Sequence, residues 1–189
     1  MSHPLLVRVT HWTNTVAFVA LLVSGVAILL AHPRLYWGET GAIGSPALIE
    51  LPLTLDLEQS GWGRSLHFLA AWVCVVNGAF YVGGGMVSGH FRTLMAAGGQ
   101  RPRDRDAYNR LQAVTYLAVV FVLLPLVILT GLAMSPAVMA AVPVVNLFGG
   151  HQSARTIHFF VSTTLALFFV GHVVMVCRKG AAGRLRRMI

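Results

Sequence analysis

The stretch from Arg155 to Cys177, RTIHFFVSTTLALFFVGHVVMVC, constrains the fold of this chain more than any other. It is apolar over the length that a helix needs to cross a bilayer, about 20 residues, yet it holds His158 near its start and His172 near its end. Polar side chains at that depth are costly and normally have a function. Fourteen residues on an α-helix correspond to a rise of about 21 Å and nearly four turns. Both rings therefore leave the same side of the helix, one near each membrane face.

Four apolar segments of this chain are long enough to span a membrane, and helices satisfy their own backbone in lipid. With 56% hydrophobic and 11% charged residues, the chain has too little polar surface for a soluble domain of its size. Pro125 predicts a kink within the third segment. We predict an all-α integral membrane protein, a four-helix transmembrane bundle in one domain, 1–189, with helices over about residues 12–31, 66–88, 111–134 and 157–177.

Lysine and arginine are distributed unevenly between the two ends of these segments. If the N-terminus lies in the cytoplasm, eleven of the 14 basic residues fall on the cytoplasmic side, and three fall on the outer side: Arg34, Arg64 and Arg155. The positive-inside rule therefore predicts that both termini are cytoplasmic. The net charge of +8 does not indicate nucleic-acid binding, because the basic residues lie at the ends of apolar runs instead of among aromatic residues on one surface.

The two predicted outer loops differ in composition. The first, from about His32 to Gly63, contains Tyr36, Trp37 and Trp62, which are typical of a membrane interface. The second contains the apolar segment 137–148, which is too short to span a membrane. We expect this segment to lie on the surface or to dock against another part of the chain.

Four histidines form two pairs at matching depths once this topology is assumed. His11 opens the first helix and His172 closes the fourth, both on the inner side. His67 opens the second helix and His158 opens the fourth, both on the outer side. Facing imidazoles on two helices of a bundle are a usual way to hold a metal or a haem. We predict His11 with His172, and His67 with His158, as two ligand pairs.

Arginine stands three residues before three of these histidines, in RVTH, RSLH and RTIH. Among 13 Arg and 8 His, chance gives about half an occurrence of this spacing. Arg8, Arg64 and Arg155 thus share a helix face with a histidine one turn away. A guanidinium beside an imidazole suits haem b, which carries propionates at its rim. Zinc fits less well, because a closed zinc site needs about four ligands. Two imidazoles fill both axial positions of haem iron, which favours electron transfer over oxygen binding.

The RVTHW and RSLHF starts of the first two helices, with the histidines fourteen residues apart on the fourth, resemble the bacterial and nickel-hydrogenase type cytochrome b561 superfamily. The four-helix dihaem cytochrome b subunits of formate dehydrogenases, hydrogenases and thiosulfate-reductase-like enzymes are the nearest in pattern. This resemblance implies a bacterial inner-membrane protein with two b haems. It implies His11 and His172 as ligands of the cytoplasmic-side iron, and His67 and His158 as ligands of the periplasmic-side iron.

The same resemblance implies a quinone site near the inner haem. Asn109 and Gln112, in YNRLQ, are similar to the polar residues that lie beside the quinone in the formate dehydrogenase relatives. Helix capping and a solvated helix face are an equally good interpretation of these two residues.

Three functions are compatible with these features. The leading hypothesis is an electron-transfer subunit that links a periplasmic catalytic partner, molybdoenzyme-like or hydrogenase-like, to the quinone pool. Whether the chain is itself an enzyme is left open, because the second hypothesis is a stand-alone superoxide:quinone oxidoreductase. The third is a haem-free proton or metal transporter, which would need broken helices and ionisable residues near the midplane. The predicted spans contain no acidic residue there.

Overall fold

The computed structural model describes residues 5–39, 45–52, 61–87, 114–115 and 117–178. Its architecture is all-α apart from two strands of two residues each. In chain order the elements are α1 (Leu5–Ala31), β1 (Arg34–Leu35), β2 (Ile49–Glu50), α2 (Trp62–Val87), a π-turn (Val119–Leu123), α3 (Leu124–Ala133), α4 (Pro136–Met139), a 3-10 turn (Val144–Phe148) and α5 (His151–Arg178).

Three of these helices, α1, α2 and α5, are long and apolar enough to cross a membrane. A shorter apolar helix runs over Val119–Ala133, within the third predicted span. The all-α membrane architecture predicted from the apolar runs is thus confirmed at this level. The three long helices begin before their apolar runs do, at Leu5, Trp62 and His151. Hydropathy marks only the part of a helix that faces lipid, whereas the helical hydrogen bonds continue into the polar flanks.

The third predicted helix changes its hydrogen bonding just before Pro125. Over Val119–Leu123 the backbone forms a π-turn, at whose end the Leu124 N–H donates to the Val119 carbonyl. Proline has no N–H to donate, and a π-turn is one way in which a helix accommodates such a break. The irregularity expected at Pro125 therefore takes the form of a wider turn, after which α3 continues to Ala133.

The described residues form two compact units. Unit 1 comprises residues 5–25, 61–87 and 173–178, and unit 2 comprises residues 26–39, 45–52, 114–115 and 117–172. In unit 1, α1 and α2 pack through small side chains. The buried residues of α1 recur every seven positions, at Thr10, Ala17 and Ser24, and those of α2 are Gly63, Ala70 and Gly85. Small residues allow two membrane helices to approach closely.

A polar contact fixes the register of this antiparallel pair of helices. The Asn77 side chain donates to the Thr10 carbonyl over 2.8 Å. A Cβ atom added at Gly84 would lie 2.6 Å from Leu6 Cδ2, so the helices touch at that end as well. The same register brings Ser24 of α1 beside the first turns of α2.

In unit 2, strands β1 and β2 pair antiparallel, with Arg34 opposite Glu50 and Leu35 opposite Ile49. The Leu35 side chain is buried, whereas Arg34 and Glu50 form an exposed ion pair of 2.8 Å. The Glu50 carboxylate raises the pKa of the Arg34 guanidinium above its ordinary value. Because the pair is solvated, it contributes little to stability.

The predicted first outer loop, which follows α1, caps the N-terminus of α5. The Gly38 carbonyl accepts hydrogen bonds from the N–H groups of Gln152, over 2.9 Å, and of Ser153, over 3.2 Å. The Gly38 N–H donates to Ser153 Oγ over 2.7 Å, and Thr156 Oγ1 donates to the Tyr36 carbonyl over 2.6 Å. The first N–H groups of a helix have no partner within it, so these bonds satisfy groups that would otherwise be left unpaired.

The apolar segment 137–148 docks on one side and is exposed on the other. Val145 packs with Ala133 and Ala154, both fully buried, and four partly buried side chains surround them: Met134, Met139, Val144 and Phe148. On the opposite side Val142 and Leu147 are exposed. The expectation that this segment docks against another part of the chain is confirmed.

Candidate functional site

His67 lies in the second turn of α2, where α1 supplies its neighbours. Its Nδ1 atom is 3.0 Å from Ser24 Oγ. The next residue of α1 is Gly25, and a Cβ atom added there would be 3.6 Å from the His67 Cε1 atom. A hydroxyl therefore contacts one ring nitrogen, and a residue without a side chain makes room for the adjacent ring carbon.

His158 of α5 has the same surroundings in unit 2. Its Nδ1 atom is 3.0 Å from Thr130 Oγ1 of α3. Gly131 follows Thr130, and a Cβ atom added there would be 3.5 Å from the His158 Cε1 atom. Each unit thus contains one histidine held by a hydroxyl–glycine pair on the preceding apolar helix. Metal-binding histidines commonly have their second ring nitrogen held by such a partner, which orients the ring.

The other two predicted ligands lie near the start of α1 and near the end of α5, each beside an aromatic side chain. The His11 ring meets Trp12 edge-on, with 5.7 Å between ring centroids. The His172 ring is stacked on Phe168, with 6.1 Å between centroids. His11 belongs to unit 1 and His172 to unit 2, as His67 and His158 do. Each predicted pair takes one residue from each unit, and both pairings remain predictions.

The three predicted propionate-binding arginines have different surroundings. The Nε atom of Arg8 is buried and has no hydrogen-bond partner among the described residues. Arg155 donates through Nη2 to the His32 carbonyl at the end of α1, and Arg64 is exposed. Of the three, Arg8 has the buried donor that most needs an acceptor, and it lies one helical turn from His11.

Two groups of residues remain, the predicted quinone contacts and the two cysteines. Asn109 and Gln112, the predicted quinone contacts, lie outside the described residues. Within the described ranges, no group of three or more His, Cys, Asp or Glu side chains could hold a metal ion. Cys74 and Cys177 are free thiols.

The sequence reasoning missed Ser24 and Thr130, the hydroxyl members of the pairs Ser24–Gly25 and Thr130–Gly131. A signal for them exists, because VSGV and LTGL are similar tetrapeptides inside apolar runs, and each run precedes a helix that opens with RSLHF or RTIHF. Serine, threonine and glycine are ordinary residues at close helix contacts in membranes. Only the contacts with the two rings distinguish these pairs from packing residues.

Comparisons with known proteins place the chain in a family. The model of the prokaryotic cytochrome b561 family, of the nickel-hydrogenase cytochrome b type, matches residues 2–189. A protein of Azospira oryzae, named as a protein-methionine-sulfoxide reductase subunit, YedZ1, is 32% identical over 192 residues. That alignment covers 92% of this chain and 89% of the relative. The family implies haem b as the cofactor, and the chain belongs to the prokaryotic cytochrome b561 family of multi-pass membrane electron-transfer proteins.

Proposed function

We propose that this chain is a dihaem cytochrome b that carries electrons between the membrane quinone pool and a redox partner on the outer side. The observation that carries the proposal is that His67 and His158 have the same surroundings. In each, Nδ1 is hydrogen-bonded to a hydroxyl and a glycine lies beside Cε1. Any imidazole in an apolar helix needs a hydrogen-bond partner, so the support lies in the repetition of the same hydroxyl and glycine arrangement at both histidines. Under the proposal these two residues bind the outer haem iron, and His11 with His172 bind the inner one.

Haem b fits the residues that are present. Imidazole is a common axial ligand of haem iron, and His67 and His158 have the neighbours that orient such a ligand. The buried Nε of Arg8 lacks an acceptor among the described residues, and a propionate oxygen would supply one. Arg155, which donates to the His32 carbonyl, has other N–H groups that a propionate at the outer haem would use.

The protein residues have three tasks in this proposal. The four histidines would hold the two irons, two imidazoles to each, an arrangement that favours electron transfer over oxygen binding. The apolar helices exclude water from the sites. The arginines balance the negative charge of the propionates at the membrane faces. When bound, haem b supplies a one-electron iron couple at each site.

The proposed topology has four spans, with both termini in the cytoplasm. It rests on the excess of Arg and Lys in the cytoplasmic segments. It places His67 and His158, near the starts of α2 and α5, on the outer side. The apolar helix over Val119–Ala133 is the described part of the third span.

The proposed partner is a catalytic subunit on the outer side that reduces its substrate. The Azospira oryzae relative is named as a subunit of a protein-methionine-sulfoxide reductase, which favours a partner enzyme over a stand-alone superoxide oxidoreductase. Electrons would then flow outward, from quinol through the inner and outer haems to the partner. This name gives the proposed partner a chemical class, a reductase that acts on methionine sulfoxide in proteins. The proposed quinone contacts remain Asn109 and Gln112.

The test of the proposed function is a haem count on the purified protein. We expect two low-spin b haems per chain, both reduced by a quinol analogue and reoxidised by an outer-side reductase that accepts electrons. One haem per chain would show that a histidine pair is misassigned. A protein without haem would overturn the proposal and return the transporter hypothesis to first place.

The glycine beside each ring limits the size of the side chain that can replace it. At Gly25 a single methyl would make an ordinary contact with His67, so we expect Gly25→Ala to retain both haems. Gly25→Val adds two methyl groups that must displace the ring, and we expect it to lose the outer haem. The haem-to-protein ratio checks this. Gly78→Val is the matched control, because nothing lies within 4 Å of a Cβ added at Gly78; equal losses in both variants would contradict the assigned role of Gly25.

A further inference from the structure

Each hydroxyl beside His67 and His158 also lies within hydrogen-bond distance of two backbone carbonyls of its own helix. The more distant carbonyl is that of Leu21, 3.2 Å from Ser24 Oγ, in one unit and that of Val127, 3.1 Å from Thr130 Oγ1, in the other. Ser24 Oγ is 2.7 Å from the Ala20 carbonyl, four residues earlier in α1. Thr130 Oγ1 is 2.8 Å from the Leu126 carbonyl, four residues earlier in its own helical segment. A hydroxyl carries one proton and two lone pairs, and a carbonyl only accepts. The bond to the carbonyl therefore uses the hydroxyl proton.

The proton count determines the direction of the bond to each ring. With its proton directed to a backbone carbonyl, the hydroxyl oxygen has only lone pairs to offer the ring, and in this arrangement Nδ1 of the histidine is the donor. The His67 ring also has a backbone hydrogen bond to Leu21, and a carbonyl, which only accepts, requires the same protonated ring nitrogen. A neutral imidazole that carries its proton on Nδ1 has its lone pair on Nε2. The carbonyl, the hydroxyl and the imidazole form the same chain in both units, with distances that differ by at most 0.1 Å between corresponding bonds.

We propose that Ser24 and Thr130 are positioning residues that hold His67 and His158 in the tautomer protonated on Nδ1, present Nε2 to the iron, and tune the reduction potential of the outer haem. The inference rests on the proposed function, because it takes these histidines as ligands of one haem. It goes beyond that function by assigning a role to two residues that contact neither haem iron nor substrate.

The effect on the haem follows from the polarity of the Nδ1–H bond. Donating this proton to an oxygen places more electron density on the ring and makes Nε2 a stronger donor to iron. A stronger donor stabilises the oxidised iron, so these bonds hold the potential down. A hydroxyl is a weaker acceptor than a carboxylate, and it adds no charge inside the membrane, where a charge is expensive. The arrangement thus orients the ligands while keeping the site neutral.

The experiment is a redox titration of the purified holoprotein, read from the optical bands of each haem. We expect Ser24→Ala and Thr130→Val each to raise the midpoint potential of one haem, the same haem in both variants, while the potential of the other haem stays unchanged. The conservative variants Ser24→Thr and Thr130→Ser keep the hydroxyl and should restore the wild-type potential. Ser24→Cys keeps the size of the side chain with a weaker acceptor, and should give a smaller upward shift than Ser24→Ala.

A matched control removes a hydroxyl that does not contact a ring. Thr163 of α5 donates to the Phe159 carbonyl of its own helix, and Thr163→Val should leave both potentials unchanged. Unchanged potentials in Ser24→Ala and Thr130→Val with both haems retained would overturn the inference, as would equal shifts in the Thr163 control. Failure of the proposed function looks different, because the wild-type protein would then hold fewer than two haems, or both haems would survive the loss of His67 or His158.

Discussion

His158→Leu is expected to remove one of the two b haems and to leave the other in place. Leucine is close to histidine in volume and suits an apolar helix, so α5 should still form. It cannot bind iron, and an iron with a single strong protein ligand is held weakly in comparison with one that has two imidazoles. Electron transfer from quinol to an outer-side acceptor should fall to background, because in the proposed function the outer haem would be the last carrier on that route.

The measurement is the haem-to-protein ratio together with a redox titration, which should show one component where the wild type shows two. His67→Leu should remove the same component, and the double variant should lose no more haem than either single one, because both residues serve one iron. His151→Leu is the matched control, since His151 is exposed at the start of the same helix. Retention of both haems in His158→Leu would refute the ligand assignment.

Gly150→Ala is expected to detach the first outer loop from the start of α5. Gly150 has a φ angle of +116°, which L residues rarely adopt. A Cβ atom there would lie 2.6 Å from the Glu39 N and Cα atoms and from the Gly38 carbonyl carbon. Since these are backbone atoms, no side-chain rotation relieves the overlap. Backbone strain and overpacking together should cost about 3 kcal/mol or more, and the Gly38 bonds to Gln152 and Ser153 would be lost with the displaced loop.

Thermal unfolding in a lipid nanodisc, followed by loss of the haem absorbance, measures this effect. Gly149→Ala is the matched control, because Gly149 also has a positive φ angle, +72°, but has nothing within 4 Å of an added Cβ. It should cost only about 1 kcal/mol, from backbone strain alone. If the two variants lowered the unfolding temperature equally, the close approach of the outer loop would not be the cause. We also expect slower electron transfer to an outer-side partner in Gly150→Ala, since the displaced loop includes the exposed Trp37.

Much of the fold could be predicted because a membrane helix is visible in the sequence as a continuous apolar run. The apolar runs identified α1, α2 and α5 directly, since each helix satisfies its own backbone and must be apolar over the width of the bilayer. The positions of the four histidines followed from the same runs, because a polar residue inside an apolar stretch is conspicuous. The bounds were less well predicted, because the helices continue into polar flanks that hydropathy does not mark.

Other features could not be predicted, because they depend on contacts between residues far apart in the chain. Gly38 lies in a polar loop and gives no sign that it caps a helix more than 100 residues later. The π-turn before Pro125 is one of several ways in which a helix can accommodate a missing N–H, and the residues do not select among them. Two-residue strands such as β1 and β2 are too short for a period of two to be visible in the residues.

The amino-acid sequence by itself determined that this chain forms apolar helices in a membrane and carries histidines near both faces, because hydrophobicity and helical rise are local properties. The tertiary structure alone decided what each histidine touches. Ser24 is 43 residues from His67, and Thr130 is 28 residues from His158, so no pattern along one helix relates them. The packing of neighbouring helices brings each hydroxyl to a ring nitrogen, and that contact orients the imidazole in the way that the proposed ligand role requires.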